Sequence, residues 1–252
     1  AAALALCLQV GVNFANDYSD GVRGTDDHRV GPQRLVGSGA AAPGRVRAAA
    51  FCCFGVSGLA GLAAVAATGH WWLLAVGVAC VLAAWFYTGG RHPYGYLGLG
   101  EVFVLIFFGL VATAGTDYLL CGRVSAAGWV AAVAMGLTAD GVLVTNNLRD
   151  IASDTAAGKR TLETRLGDRA SRLLYAGLVV AVAVCCVLVA ALSTWWALLG
   201  LLGVALLVPA ARTILGGAVG LRLVSTLRST SMGELVLSLG LLAGVAVARL
   251  TA

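Results

Sequence analysis

The stretch AAALALCLQVGVNFANDYSDGVRGTDD, residues 1–27, joins two things that a soluble protein keeps apart. Its first twelve residues carry no charge, and its last twelve carry aspartates at 17, 20, 26 and 27. One apolar helix could hide in a soluble core, but this chain has many. Apolar runs recur near 1–20, 48–69, 71–88, 99–119, 126–147, 173–192, 195–215 and 232–251. Each is about long enough, as a helix, to span a hydrocarbon layer of roughly 30 Å. No run alternates with period two, which argues against a membrane β-barrel. The chain is 60% hydrophobic and only 12% charged, with a mean hydropathy of +0.90. The fold class is therefore all-α: a polytopic transmembrane helical bundle with eight spans, forming a single domain over 1–252.

Charge sets the orientation. If the first span ends in the cytoplasm, the inner segments are 21–47, 89–98, 148–172 and 216–231. With their helix ends they hold every Lys and Arg of the 17 except Arg123 and Arg249. So lopsided a distribution is the positive-inside pattern. It places the protein in the cell (inner) membrane, with its polar chemistry facing the cytoplasm. It also accounts for the net charge of +5 through anionic lipid headgroups, with no nucleic acid partner. The seven cysteines lie in or beside apolar runs without CxxC spacing and read as small apolar fillers. The chain begins with Ala, and its first span starts at residue 1 without a flanking loop. An N-terminally trimmed piece of a longer protein is the expectation.

The carboxylates fall into two clusters. Read as helix, Asn13, Asn16 or Asp17, and Asp20 recur every three to four residues and stack on one face. Gly21 and Gly24 then loosen the backbone, letting Asp26 and Asp27 turn back toward the same space. In the second cluster, TNNLRDIASDTAAGKRTL at 145–162, Asn146, Asp150 and Asp154 stand at i, i+4 and i+8, with Asn147 one step aside. Each step rises about 6 Å. Several carboxylates at the lip of a bilayer need partners. Arg and Lys could neutralise them as structural ion pairs, protons could in an ion-coupled transporter, or Mg²⁺ could. Mg²⁺ takes oxygen ligands, commonly one or two carboxylates together with substrate phosphates. Arg149, Lys159 or Arg34 could then grip the far side of a diphosphate. Spacing alone leaves all three open.

NDYSDGVRGTD (16–26) and NNLRDIASDTAAGKRTL (146–162) resemble the two Asp-rich motifs of the UbiA superfamily of intramembrane aromatic prenyltransferases. RVGPQRLVGSG (29–39), YTGGRHPYGYLGLGE (87–101) and IFFGL (106–110) resemble the branch that prenylates 1,4-dihydroxy-2-naphthoate for menaquinone synthesis. The resemblance runs to about residue 180. It implies a nine-helix bundle around a cavity open to lipid, with the family's first helix missing here. It further implies Mg²⁺ as cofactor and polyprenyl diphosphate and hydroxynaphthoate as substrates. The metal and diphosphate ligands would be Asn16, Asp20, Asp26, Asp150 and Asp154, with Lys159 on the diphosphate. Asn13, Asp17, Asn146, Asn147 and Arg149 would sit beside them.

The superfamily's Tyr-x-x-x-Lys pattern is matched by Tyr87 and Arg91, with Arg in place of Lys; Arg grips phosphate bidentately but is not equivalent. Tyr94 and Tyr96 could orient the acceptor, stabilise a cation by their ring faces, or simply anchor at the interface. Arg34, His28, His92 and Glu101 have open roles between loop structure and the site. Asp140 lies within a span, where an acid is a functional candidate. The implied reaction gives demethylmenaquinol, CO₂ and diphosphate. Another aromatic acceptor such as 4-hydroxybenzoate, or an ion-coupled transporter, is the alternative.

Overall fold

The computed structural model describes residues 1–25 and 33–251. Asp26, Asp27 and His28 lie outside the described residues. Among the described residues every regular element is helical. The principal helices are α1 (Ala2–Arg23), α2 (Pro43–Thr68), α3 (Leu73–Phe86), α4 (Gly100–Cys121), α5 (Ala126–Ala156), a short α6 (Leu162–Leu166), α7 (Asp168–Leu192), α8 (Trp195–Leu215) and α9 (Leu221–Thr251).

Six of them, α2, α4, α5, α7, α8 and α9, are long and apolar enough to cross a membrane. Two of the eight apolar runs read from the sequence fall outside these six. α1 has 22 residues, but its second half carries Asn13, Asn16, Asp17 and Asp20. α3 has only 14 residues and reaches about 21 Å, because a tight turn at Trp71-Trp72 takes up the start of the apolar run.

The chain divides into two compact units. One comprises Ala1–Gly100 with Ser153–Thr161, the other Glu101–Ala152 with Leu162–Ala252. The second acidic motif therefore contributes its last residues to the first unit.

In the first unit α1 packs on α2 and α3. Gly11 of α1 lies under the Phe54 ring, where an added Cβ would come within 2.6 Å. Ala15, Ala50, Phe54 and Ala84 form the local core, and Ser57 Oγ donates to the Leu4 carbonyl at 3.0 Å. Small residues are what bring apolar helices close when lipid removes the hydrophobic drive between them.

The second unit is built around Val144, Leu148, Tyr175, Val182, Leu207, Ile214 and Leu237. Two polar ties run through it. The Tyr175 hydroxyl and Thr230 Oγ1 are 2.7 Å apart, and buried Arg172 donates to the Ile214 carbonyl at 2.5 Å while Asp168 holds its other face. α4 is wound as a π-helix over Leu105–Ala114. Its Gly109 lies against the α5 backbone at Ala132 and Gly136.

Candidate functional site

The first unit gathers the site. α1 and α5 end in the same way. In α1, Gly24 turns into the left-handed region (φ 74°), its N–H reaches the Gly21 carbonyl, and the Thr25 N–H reaches the Asp20 carbonyl at 3.1 Å. In α5, Gly158 does the same (φ 72°), with its N–H on the Thr155 carbonyl and the Lys159 N–H on the Asp154 carbonyl at 2.8 Å. Both are Schellman caps, for which Gly is favoured because it has no Cβ. Each places an Asp near the helix end and turns the next side chain, Thr25 or Lys159, back over it.

Tyr96, in the short 3₁₀ turn Tyr94–Leu97, meets both ends. Its hydroxyl donates to Asp20 Oδ1 at 2.8 Å and lies 3.5 Å from Thr25 Oγ1. Lys159 Nζ sits 5.3 Å from the ring centroid and 3.6 Å from Asp154 Oδ1. The Arg23 guanidinium lies 5.4 Å from the same ring and donates to the carbonyls of Thr88 and Gly90. The Arg160 N–H donates to the Tyr96 carbonyl at 3.1 Å. Burial, with Asp20 beside it, pushes the Tyr96 hydroxyl well above the usual phenol range, so it remains a donor.

The remaining sequence-named residues of this unit have definite places. Asn16 Oδ1 accepts from Thr88 Oγ1 at 2.8 Å. Asp17 is buried and accepts the Leu35 and Val36 N–H groups, each at 2.9 Å, one on each carboxylate oxygen. It thereby ties down the turn after Arg34, whose carbonyl accepts from Ser38. Asn13 is exposed and donates to Gln9 within its own helix. Tyr87 and Tyr94 pack edge to face at 5.4 Å, and the Tyr94 hydroxyl donates to the Ala83 carbonyl at 2.8 Å. Arg91 is exposed.

The second unit holds the rest. Asp150 is gripped bidentately by Arg149 at 2.7 and 2.6 Å. Asn146 is half-buried, Asp140 is buried in mid-helix, and Asn147 Nδ2 lies 3.5 Å from Glu101 Oε1. Glu163 of α6 is fully buried near Glu101 and Asn147. Sequence reading misses it because one acid in KRTLETRLG looks like any loop charge.

Burial, and then the Glu101 carboxylate, push Glu163 from 4.5 up to about 8. Below 4.5 the folded and unfolded chains are both protonated there. Between 4.5 and about 8 only the unfolded chain ionises, so stability falls as pH rises, by up to about 1.4 kcal/mol per pH unit. Glu163→Gln is expected to flatten that decline in a thermal-unfolding series from pH 5 to 8. A wild-type melting temperature that stays level across this range would refute the assignment.

The donors that the two helix ends offer are oxygens: Asp20 on Tyr96, Asp154 beside Lys159, and the Asn16 amide one turn before Asp20 on α1. Two helix C-termini also converge there, each carrying about half a negative charge. An anion cannot be held at such a place without a cation. Hard oxygen donors and paired carboxylates suit Mg²⁺ with phosphate completing its sphere. Among the described residues no group of three or more His, Cys, Asp or Glu could hold a metal alone.

A sequence profile described as the UbiA prenyltransferase family matches residues 1–219. The chain is 47% identical over 251 residues to a Mycobacterium tuberculosis protein named 1,4-dihydroxy-2-naphthoate octaprenyltransferase, covering 100% of this chain and 85% of that one. A Mycobacterium leprae protein of the same name is 49% identical over 233 residues, 92% of this chain and 79% of its own. The Escherichia coli protein so named is 37% identical over 246 residues, covering 94% and 80%.

Proposed function

The chain belongs to the UbiA prenyltransferase family, and from that premise we propose that it moves a polyprenyl group from polyprenyl diphosphate to 1,4-dihydroxy-2-naphthoate. The products are demethylmenaquinol, CO₂ and diphosphate, a step of menaquinone synthesis. The observation that carries this reading is the meeting of two Asp-bearing helix ends at Tyr96, one through the Asp20 carboxylate and the other through Lys159 beside Asp154.

Asn16, Asp20 and Asp154 would hold Mg²⁺. The ion, when bound, supplies positive charge that makes the diphosphate a better leaving group. Lys159, held 3.6 Å from Asp154 with no short hydrogen bond to that carboxylate, would contact the diphosphate. It stabilises negative charge as the allylic C–O bond breaks, with both bonding electrons leaving on oxygen. The naphthoate ring carbon bearing the carboxylate attacks C1 of the prenyl chain. The C–C bond to the carboxylate then breaks, CO₂ departs, and its electron pair restores the aromatic ring. The apolar helices keep water from the allylic cation and admit two lipid-like molecules, donor and product.

The Arg and Lys distribution supports an inner-membrane location with the site toward the cytoplasm. The test is direct. Membranes bearing the protein, given dihydroxynaphthoate, a polyprenyl diphosphate and Mg²⁺, are expected to form prenylated naphthoquinol, and EDTA to abolish it. Product that survives EDTA would remove the metal from the proposal. Product from 4-hydroxybenzoate but not from the naphthoate would replace the acceptor.

A further inference from the structure

We propose that Tyr96 is a positioning residue that joins the two acid-bearing helix ends into one working site, its hydroxyl setting the Asp20 carboxylate and its ring parking the Lys159 ammonium. The inference rests on the diphosphate reading above and deepens it.

Three observations carry it. First, the hydroxyl is committed: it donates to Asp20 Oδ1 at 2.8 Å, which fixes the rotation of a carboxylate in the last turn of α1. Second, the ring is committed: Lys159 lies 5.3 Å from its centroid and 3.6 Å from Asp154. At that distance Asp154 attracts the ammonium without a short hydrogen bond, and the ring face adds a second attraction of the same soft kind. The ammonium is kept near the site yet remains easy to withdraw toward phosphate. Third, the backbone is committed. The Arg160 N–H bonds to the Tyr96 carbonyl, and the Gly95 N–H to that of Tyr87, at 3.1 and 2.9 Å. A Cβ at Gly95 would come within 2.7 Å of the Tyr87 carbonyl, so the turn has one seat. A ring already facing Arg23 and Lys159 works by holding protein cations, so its part in catalysis is indirect.

The two functions of the side chain separate by substitution. Tyr96→Phe keeps the ring and loses the bond to Asp20. Tyr96→Leu loses both. In the reconstituted full chain, with farnesyl diphosphate as varied substrate, Tyr96→Phe is expected to lower kcat about tenfold, raise the Mg²⁺ needed for half-maximal rate and leave KM within about twofold. Tyr96→Leu is expected to raise KM about tenfold in addition, and Tyr96→Leu with Lys159→Met to raise it no further than Lys159→Met alone. Additive effects of Tyr96→Leu and Lys159→Met, or a Tyr96→Phe variant with wild-type kcat and Mg²⁺ dependence, would overturn the assignment. Absence of turnover in the wild-type protein would instead count against the diphosphate reading itself.

Discussion

Asp20→Asn and Asp154→Asn are each expected to cut prenyl transfer by a factor on the order of 10² or more while leaving the protein folded. Asparagine matches aspartate in shape, so packing at these buried positions changes little. What changes is charge at a point where two helix ends already add negative potential. A carboxylate there is tolerable only with cations near it, and Lys159, Arg23 and the proposed Mg²⁺ are those cations. Removing one carboxylate weakens the hold on the ion, and at Asp154 it also releases the partner of Lys159. The loss should lie mainly in kcat and in the Mg²⁺ requirement. In the proposed site both aspartates act through one ion, so the double variant should be little worse than either single one. Turnover close to that of the wild type for both, at equal protein level, would contradict the site.

The second large effect concerns folding. Gly203→Val in α8 is expected to destabilise the protein by about 3 kcal/mol or more, seen as a fall in melting temperature or in detergent-stable yield. A Cβ at Gly203 would run into the Leu237 nitrogen and lie 2.5 Å from the Gly233 carbonyl oxygen of α9. Those are backbone atoms, which cannot rotate away, so the helices must part. The contact is long: Gly240 and Gly244 of α9 meet the carbonyls of Leu199 and Trp196 just as closely. Gly177→Ala in α7 is the control. Nothing lies within 4 Å of a Cβ there, and the loss of backbone freedom in the unfolded chain favours Ala by roughly 0.5–1 kcal/mol. A Gly203→Val protein that melts with the wild type would show that the two helices do not pack so closely.

Much of the candidate site is legible without coordinates. Spacing and resemblance single out Asp20, Asp154 and Lys159, and the structure brings Asp20 and Lys159 to Tyr96, with Asp154 beside Lys159. The sequence offers Tyr96 itself only as one of three tyrosines near the interface. Its special place comes from contacts to Asp20 and Lys159, far off on either side in the chain, which no local pattern carries. Asp17 reads as a neighbour of the ligands because it shares a helical face with Asp20. Its carboxylate is instead spent on two backbone N–H groups of the turn at 35–36. Asp150 likewise stands in register with Asp154, and its carboxylate accepts from the adjacent Arg149. Asp26 lies outside the described residues.

By itself the sequence determined the class of protein: apolar runs of bilayer length admit only helices in lipid, since each backbone polar group must be satisfied within its own segment. It marked the segments where the cations gather, and the two acid motifs through their spacing. Only the tertiary structure decided which apolar runs are long enough as helices to cross a membrane. It alone decided which carboxylates are taken up by backbone or arginine and which meet at Tyr96. The reason is physical. A helix's periodicity and length are local properties, whereas a carboxylate's partner is chosen by packing between segments far apart in the chain.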